Sequence, residues 1–251
     1  MAGVPLEHVV GWVEFATVRV AVDPGVFIPR RRTEFLVEQA VASLPRQDGH
    51  RASTKAASSA GKRRPRTLSD EDSGGVLRLP VVLDLCCGTG AIGIALVTEC
   101  DRRGWGRVEL HAADVDPAAV RCARGNLASI GRVYESDLFD ALPTRLRGRV
   151  EVLVANAPYV PTDSLELLPS EARLYEPRTA LNGGIDGMDV LRRVAVEAPS
   201  WLSVGGRLLV EASERQAPKV RDVFARNGLI ATLVRSAEFE ASVVIGVSPQ
   251  R

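Results

Sequence analysis

The sequence predicts an α/β fold built on a mostly parallel sheet with helices on both faces, and three observations predict it. From residue 80 onward short apolar runs alternate with amphipathic helical periods, the pattern of strands joined by crossover helices. A glycine-rich turn, Asp84-Leu85-Cys86-Cys87-Gly88-Thr89-Gly90, falls where the first run gives way to the first helix. The last two runs lie a few residues apart with no helix between them, so they are expected to pair antiparallel at one edge. With 251 residues, 45% hydrophobic and 25% charged, the chain is long enough for one sizeable core.

Taken in order, Gly11 to Val22 alternates as two short strands, and Asp23-Pro24-Gly25 supplies turn chemistry. Thr33 is placed to cap a helix running to about Ser43. These elements make a small hairpin and helix arm over residues 1–44. Residues 45–76 break the pattern. Arg46 to Gly75 is rich in Ser, Ala, Gly, Lys and Arg, with seven Lys/Arg against four acids and almost no large apolar side chain. Such a stretch cannot bury enough surface to offset its ordering entropy and reads as a disordered basic insertion, with a tether for RNA or ribosomes as the alternative. Residues 77–251 form the third unit. Its expected elements are strands 80–85, 107–113, 132–135, 149–155, 206–211, 229–235 and 241–247, and helices 91–101, 117–128, 187–203 and 215–227.

The glycines of the first turn sit where backbone must approach a ligand closely. Gly88-Thr89-Gly90-Ala91-Ile92-Gly93 also satisfies the dinucleotide fingerprint, with an acid about 20 residues on at Asp114, so the motif alone is ambiguous. Asp84 tilts it. A pyrophosphate at the helix N-terminus would be repelled by that carboxylate, whereas the ammonium and sulfonium of an adenosylmethionine would be attracted. Asp114 can accept both ribose hydroxyl protons, or serve as a second capping carboxylate ahead of Asp116-Pro117. Asp137, in Glu135-Ser136-Asp137-Leu138-Phe139, could meet an adenine amino group or be a plain turn aspartate. Cys86 and Cys87 are adjacent and cannot bridge in relaxed geometry. They read as small residues lining the methionine part of the pocket, since a thiol nucleophile would want a histidine partner.

Asn156-Ala157-Pro158-Tyr159 follows the apolar run Val150 to Val154. The Asn156 side-chain oxygen and the carbonyl just after it offer two acceptors for a planar NH2 group, and the Tyr159 ring offers a face to stack on it. Asn and Pro are also ordinary strand-ending residues.

These motifs together resemble the class I S-adenosylmethionine-dependent methyltransferases, and within them the HemK/PrmC-type protein-(glutamine-N5) methyltransferases. The resemblance rests on Phe27-Ile28-Pro29-Arg30-Arg31-Arg32-Thr33-Glu34, Asp84 to Gly90, Asp114, Ser136 to Phe139, Asn156 to Tyr159, Glu171 to Pro177 and Ala180-Leu181. It implies a Rossmann-like seven-stranded sheet with an antiparallel edge hairpin. S-adenosylmethionine is then the cofactor, contacted by Asp84, Cys86, Cys87, Gly88, Thr89, Gly90, Asp114, Asp137, Leu138 and Asn156. Asn156 and Tyr159 are the catalytic residues, and Asn156 to Tyr159 bind the substrate, a glutamine of a protein such as a class I release factor. This chain departs from the family at three places. Ala157 replaces the first proline of the usual Asn-Pro-Pro-Tyr, Arg31 replaces the second proline of the arm, and Cys86 replaces the first glycine of the loop. Because Ala157 precedes Pro158 it keeps both its carbonyl and a bias toward extended backbone. Family members also carry a helical N-terminal domain, and only about ten residues precede the arm here.

The alternatives are an N-methyltransferase acting on a nucleic-acid base, a cofactor-binding pseudoenzyme, and an NAD-dependent dehydrogenase. Net charge is +1, and without the insertion it is 1 − 3 = −2, which does not favour nucleic acid. The four cysteines show no Cys-x-x-Cys spacing and the three histidines lie far apart, so no metal is expected. No signal-like segment or long apolar run is found, and a cytoplasmic chain without membrane contact is expected.

Overall fold

Residues 3–45 and 78–249 are described by the structure, a computed structural model; the basic insertion expected at 45–76 lies, but for Pro45, outside them. In chain order the elements are α1 (Leu6–Val10), β1 (Trp12–Phe15), β2 (Val18–Ala21), α2 (Glu34–Ser43), β3 (Val81–Leu85), α3 (Ala91–Arg102), β4 (Glu109–Asp114) and α4 (Pro117–Leu127). They continue with β5 (Gly131–Glu135), β6 (Val150–Ala155), α5 (Ser170–Tyr175), α6 (Arg178–Leu181), α7 (Asp189–Trp201), β7 (Leu202–Ala212), α8 (Ala217–Arg226), β8 (Ile230–Ser236) and β9 (Ala241–Val247). Short 3-10 turns occupy Arg31–Thr33, Thr144–Leu146 and Thr162–Leu167.

Seven strands form one sheet in the order β5-β4-β3-β6-β7-β9-β8, and β1 and β2 form a separate antiparallel hairpin. Strands β3 to β7 run parallel, while β9 pairs antiparallel with both β7 and β8. The edge hairpin is therefore present, with the last strand on its inner side. Alternate residues along each strand feed opposite cores, as a period of two requires. Leu83, Leu85, Leu153, Ala155, Leu208 and Val210 pack with α7 and α8 on one face. Val82, Val152, Val154 and Leu209 pack with α2, α3 and α4 on the other. Phe15, Val20 and Leu36 of the arm join that second core, so the arm is folded onto the sheet.

Local chemistry explains most boundaries. Val26 N–H bonds to the Asp23 carbonyl at 3.1 Å across Pro24 and Gly25 (φ +80°), a turn that needs glycine at its third position. Asp116 caps α4 through Ala118 N–H at 2.8 Å, with Pro117 opening the helix. Thr33 differs from expectation. It makes no side-chain cap for α2; its hydroxyl instead donates to Glu211 Oε2 at 2.7 Å, a charged and buried acceptor that outcompetes a backbone amide. The span 187–203, expected to be one helix, ends at Trp201, where β7 takes over with a register shift beside Val150 and Val152.

Candidate functional site

The sheet order reverses direction between β4-β3 and β6-β7, and crevices form outside the carboxyl ends of strands at such a point. Leu85 at the end of β3 pairs with Ala113 on one side and Ala155 on the other. The residues that follow these three, Cys86, Asp114 and Asn156, therefore leave the sheet side by side. All three line one cavity of about 1100 Å³, together with Asp137 and Tyr159.

On the β3 side the loop is held from within. Gly88 N–H donates to Asp114 Oδ2 at 2.8 Å, Asp116 N–H to Asp114 Oδ1 at 2.9 Å, and Cys87 N–H to the Ala113 carbonyl at 3.1 Å. Gly88 has φ +55° and a Cβ there would meet nothing within 4 Å, so this backbone is open to a ligand. Gly90, at φ +78°, serves packing instead: a Cβ would lie 2.9 Å from Leu127 Cδ1. Cys86, where the family has glycine, also takes a left-handed φ of +55°, a conformation that costs an L-residue about 1–2 kcal/mol. Leu138 takes φ +51°, bent by Ser136, whose hydroxyl donates to the Leu138 carbonyl at 3.0 Å and accepts from Ala141 N–H at 2.9 Å.

Asp84, Gly90 and Ala157 lie behind the cavity wall rather than on it. Asp84 is fully buried, Oδ2 accepts Gly93 N–H at 3.1 Å, and Oδ1 has no partner among the described residues. Burial pushes its carboxyl up to about 7, against the Gly93 hydrogen bond and with help from the Asp114 charge. Burial also raises Asp114. It pushes the Cys86 and Cys87 thiols far up, with the Asp84 and Asp114 charges adding to the shift, so both are neutral thiols and not nucleophiles. Three carboxylates thus converge on the loop, and of the arginines on the cavity wall Arg193 is engaged by Asp137 at 2.9 Å. This donor and acceptor set fits a cationic adenosyl group and opposes a pyrophosphate.

On the β6 side, the Asn156 side chain lines the cavity and bonds to no other described residue, which leaves its oxygen available. The next two residues are buried, and Tyr159 is half-buried. Here the support comes from α6, the loop after it and the residue before α8. Gln216 Nε2 donates to the Tyr159 carbonyl at 2.9 Å, Val160 N–H to the Leu181 carbonyl at 3.0 Å, and Gly183 N–H to the Val160 carbonyl at 2.9 Å. A Cβ on Gly183 would lie 2.7 Å from the Pro158 carbonyl oxygen, and one on Gly187 2.2 Å from that of Tyr159. The glycines of Gly183 to Gly187 thus let one loop lie flat on the other.

The arm closes the cavity from a third side. Arg30 Nη2 pairs with Glu176 Oε1 at 2.6 Å, and Ile28 N–H donates to the same oxygen at 3.3 Å. Arg32 Nε pairs with Glu211 Oε1 at 2.8 Å, and its guanidinium lies 5.4 Å from the centre of the Tyr159 ring. Glu211, Gln216 and Arg32 were not singled out by the sequence reading. Glu211 carried a usable signal, an acid at the end of the apolar run Leu208-Leu209-Val210, the same placement as Asp84 and Asp114. Among the described residues no cluster could hold a metal ion, and no helix is long and apolar enough to cross a membrane.

Comparison with known proteins agrees with this geometry. The Methyltransferase small domain family matches residues 76–172. The release factor glutamine methyltransferase of Geobacter sulfurreducens is 33% identical over 89% of this chain and 66% of its own length. That of Mycolicibacterium smegmatis is 35% identical over 90% of this chain and 67% of its own. This chain thus spans about two thirds of the length of these relatives. Among solved structures, the ribosomal protein L11 methylase of Lactobacillus delbrueckii subsp. bulgaricus has the same fold, with TM-score 0.54 at 14% identity over 92% of this chain and 84% of that one. On the strength of the two relatives and the shared sheet, the chain belongs to the release factor glutamine methyltransferase family, within the class I methyltransferases.

Proposed function

We propose that this protein transfers a methyl group from S-adenosylmethionine to the side-chain amide nitrogen of a glutamine in a protein, the acceptor being a class I peptide chain release factor. The observation that carries this reading is the single cavity lined by Gly88, Asp114 and Asp137 on one bank and by Asn156 and Tyr159 on the other. The names of the relatives support the choice of acceptor.

Asp114 receives the ribose hydroxyls, and Asp137 with Leu138 borders the adenine. Cys86, Cys87 and Thr89 on the cavity wall would hold the methionine end, with Gly90 and Asp84 behind that wall, Gly90 setting the turn and the Asp84 carboxylate balancing positive charge. When bound, the cofactor supplies an electrophilic sulfonium methyl. A carboxamide nitrogen is a poor nucleophile because its lone pair is delocalised. The Asn156 side-chain oxygen on the cavity wall accepts one N–H group and the Ala157 carbonyl just behind it the other, which fixes the plane of the amide and stabilises the positive charge that grows on its nitrogen until a proton leaves to water. Tyr159 stacks on that plane, with Arg32 over the ring, and Pro158 stiffens the loop. Positioning of this kind can contribute on the order of 7–11 kcal/mol in good cases, so no protein nucleophile is needed. The reaction belongs in the cytoplasm, where release factors work.

The test is to incubate the protein with methyl-labelled cofactor, a release factor, and total RNA and DNA in separate reactions, then map the label by mass spectrometry. Label on one glutamine side chain is expected. Label on a nucleic-acid base instead would overturn the reading.

A further inference from the structure

The segment between the clamp and α7 carries large aliphatic side chains that the fold does not use. Leu167 is 83% exposed, Leu174 66% and Ile185 89%. None of the three lines the cavity, although Leu168, Pro169 and Ala172 beside them do. They sit on connected backbone. Arg173 Nη1 donates to the Glu166 carbonyl at 3.3 Å and pairs with Glu166 Oε2 at 3.2 Å, which joins the Thr162–Leu167 turn to α5. Thr162 N–H donates to the Gly184 carbonyl at 2.9 Å, which joins the same turn to the loop holding Ile185. A single exposed aliphatic side chain needs no explanation, but three on segments tied to one another beside a cavity suit a contact surface.

Charge selects the partner. From Thr162 to Arg192 the exposed acids Asp163, Glu166, Glu171 and Asp189, with the half-buried Asp186, stand against the exposed Arg173, Arg178 and Arg192, an excess of two carboxylates. Asp186 and Asp189 both pair with Arg192. That leaves Asp163 and Glu171 unmatched by any ion pair among the described residues, and Arg178 the corresponding cation. A nucleic-acid backbone would meet this rim at a cost, whereas a polypeptide bearing Lys or Arg and aliphatic side chains would be drawn to it.

We propose that Leu167, Leu174 and Ile185, within this acidic rim, dock the folded surface of the substrate protein around its acceptor glutamine, and that the docked surface is basic and aliphatic. The inference rests on the reading of the site as a protein-glutamine methyltransferase. The rim supplies affinity for the whole protein, while the cavity beyond it handles the side chain alone. A few residues near the centre of a contact carry most of its binding energy, and the three exposed aliphatic side chains are the candidates for that role here.

The experiment compares two acceptors for the wild type and for Leu167→Glu, Ile185→Glu and Asp163→Lys. One acceptor is an intact release factor and the other a short synthetic peptide centred on the same glutamine. Because the three positions are solvent-exposed, unchanged melting temperatures are expected for the variants. With the intact factor each variant should lose about tenfold or more in kcat/KM, mainly through KM. With the peptide the change should stay within about twofold. Excess RNA should not inhibit the wild type. Equal losses on both acceptors, no loss on either, or inhibition by RNA would overturn the docking surface. If the wild type methylates neither acceptor, the proposed reaction fails and the docking inference falls with it, a result distinguishable from the others.

Discussion

The two banks of the cavity are built on opposite plans. The β3 bank is held by two successive strand ends and the turns after them: Asp84 bonds Gly93, and Asp114 bonds Gly88 and Asp116. The β6 bank draws on other elements as well: the Gly183 to Gly187 loop and Gln216, at the start of α8, lie against its backbone, and Arg32 of the arm lies over the Tyr159 ring. One bank is thus encoded by a compact motif and the other by the assembled fold. A local bank should tolerate distant mutations, and a remote one should transmit them to catalysis.

The largest expected effect separates the banks by function. Asn156→Ala removes a free acceptor without disturbing any bond among described residues, so transfer should fall by about a thousandfold or more. Cofactor affinity by isothermal titration should stay within a few fold. Loss of both together would show the banks to be one unit. Next, Gly187→Ala should lower both kcat and melting temperature, costing about 2–4 kcal/mol, because its Cβ would lie 2.2 Å from the Tyr159 carbonyl oxygen and 2.5 Å from Gln216 Nε2, and φ is +76°. Gly88→Ala, at φ +55° with open space around it, should cost only about 1–2 kcal/mol of stability. Its effect should fall on cofactor binding.

Asp84 sharpens the comparison through pH. Its folded-state carboxyl is raised to about 7, so the ligand-free protein holds a proton that the unfolded chain releases near pH 4. The stability tied to that proton is present at low pH and is lost as pH rises through about 7. Ligand-free Asp84→Asn should therefore gain on the wild type in melting temperature above pH 7, by roughly 2–4 °C per kcal/mol. Binding of a cationic cofactor favours the ionised carboxylate, so wild-type affinity should climb through pH 7 and then level off, while the variant stays flat and weak. The smallest effect is expected for Gln216→Ala. Losing the hydrogen bond to the Tyr159 carbonyl, worth about 1 kcal/mol, together with the longer contacts to the Asp186 and Gly187 carbonyls, should reduce kcat/KM about fivefold to tenfold and leave cofactor affinity alone.

The same contrast explains what could be read from sequence. Strand and helix positions from Val81 to Val247 follow periodicity closely, since each apolar run needs only its own alternation to declare a face. The β3 loop was legible for a like reason: Asp84 and Gly88 fall in one short motif, and Asp114 ends the next apolar run. Thr33 was misread because its partner, Glu211, lies 178 residues away and no local pattern points there. The short helices α5 and α6 went unseen because each spans too few residues for a helical period to show. The packing role of the glycines in Gly183 to Gly187 shows only once the Pro158 and Tyr159 carbonyls are placed against them.

The central claim, that both banks serve a single transfer, is tested most directly by the affinity of a bisubstrate compound in which the 5′-adenosyl group is tethered to a glutamine side-chain nitrogen. The account expects it to bind the wild type at least about tenfold more tightly than S-adenosylhomocysteine, with the advantage erased in Asn156→Ala. Equal affinity for the two compounds in the wild type, or an advantage that survives the loss of Asn156, would contradict it.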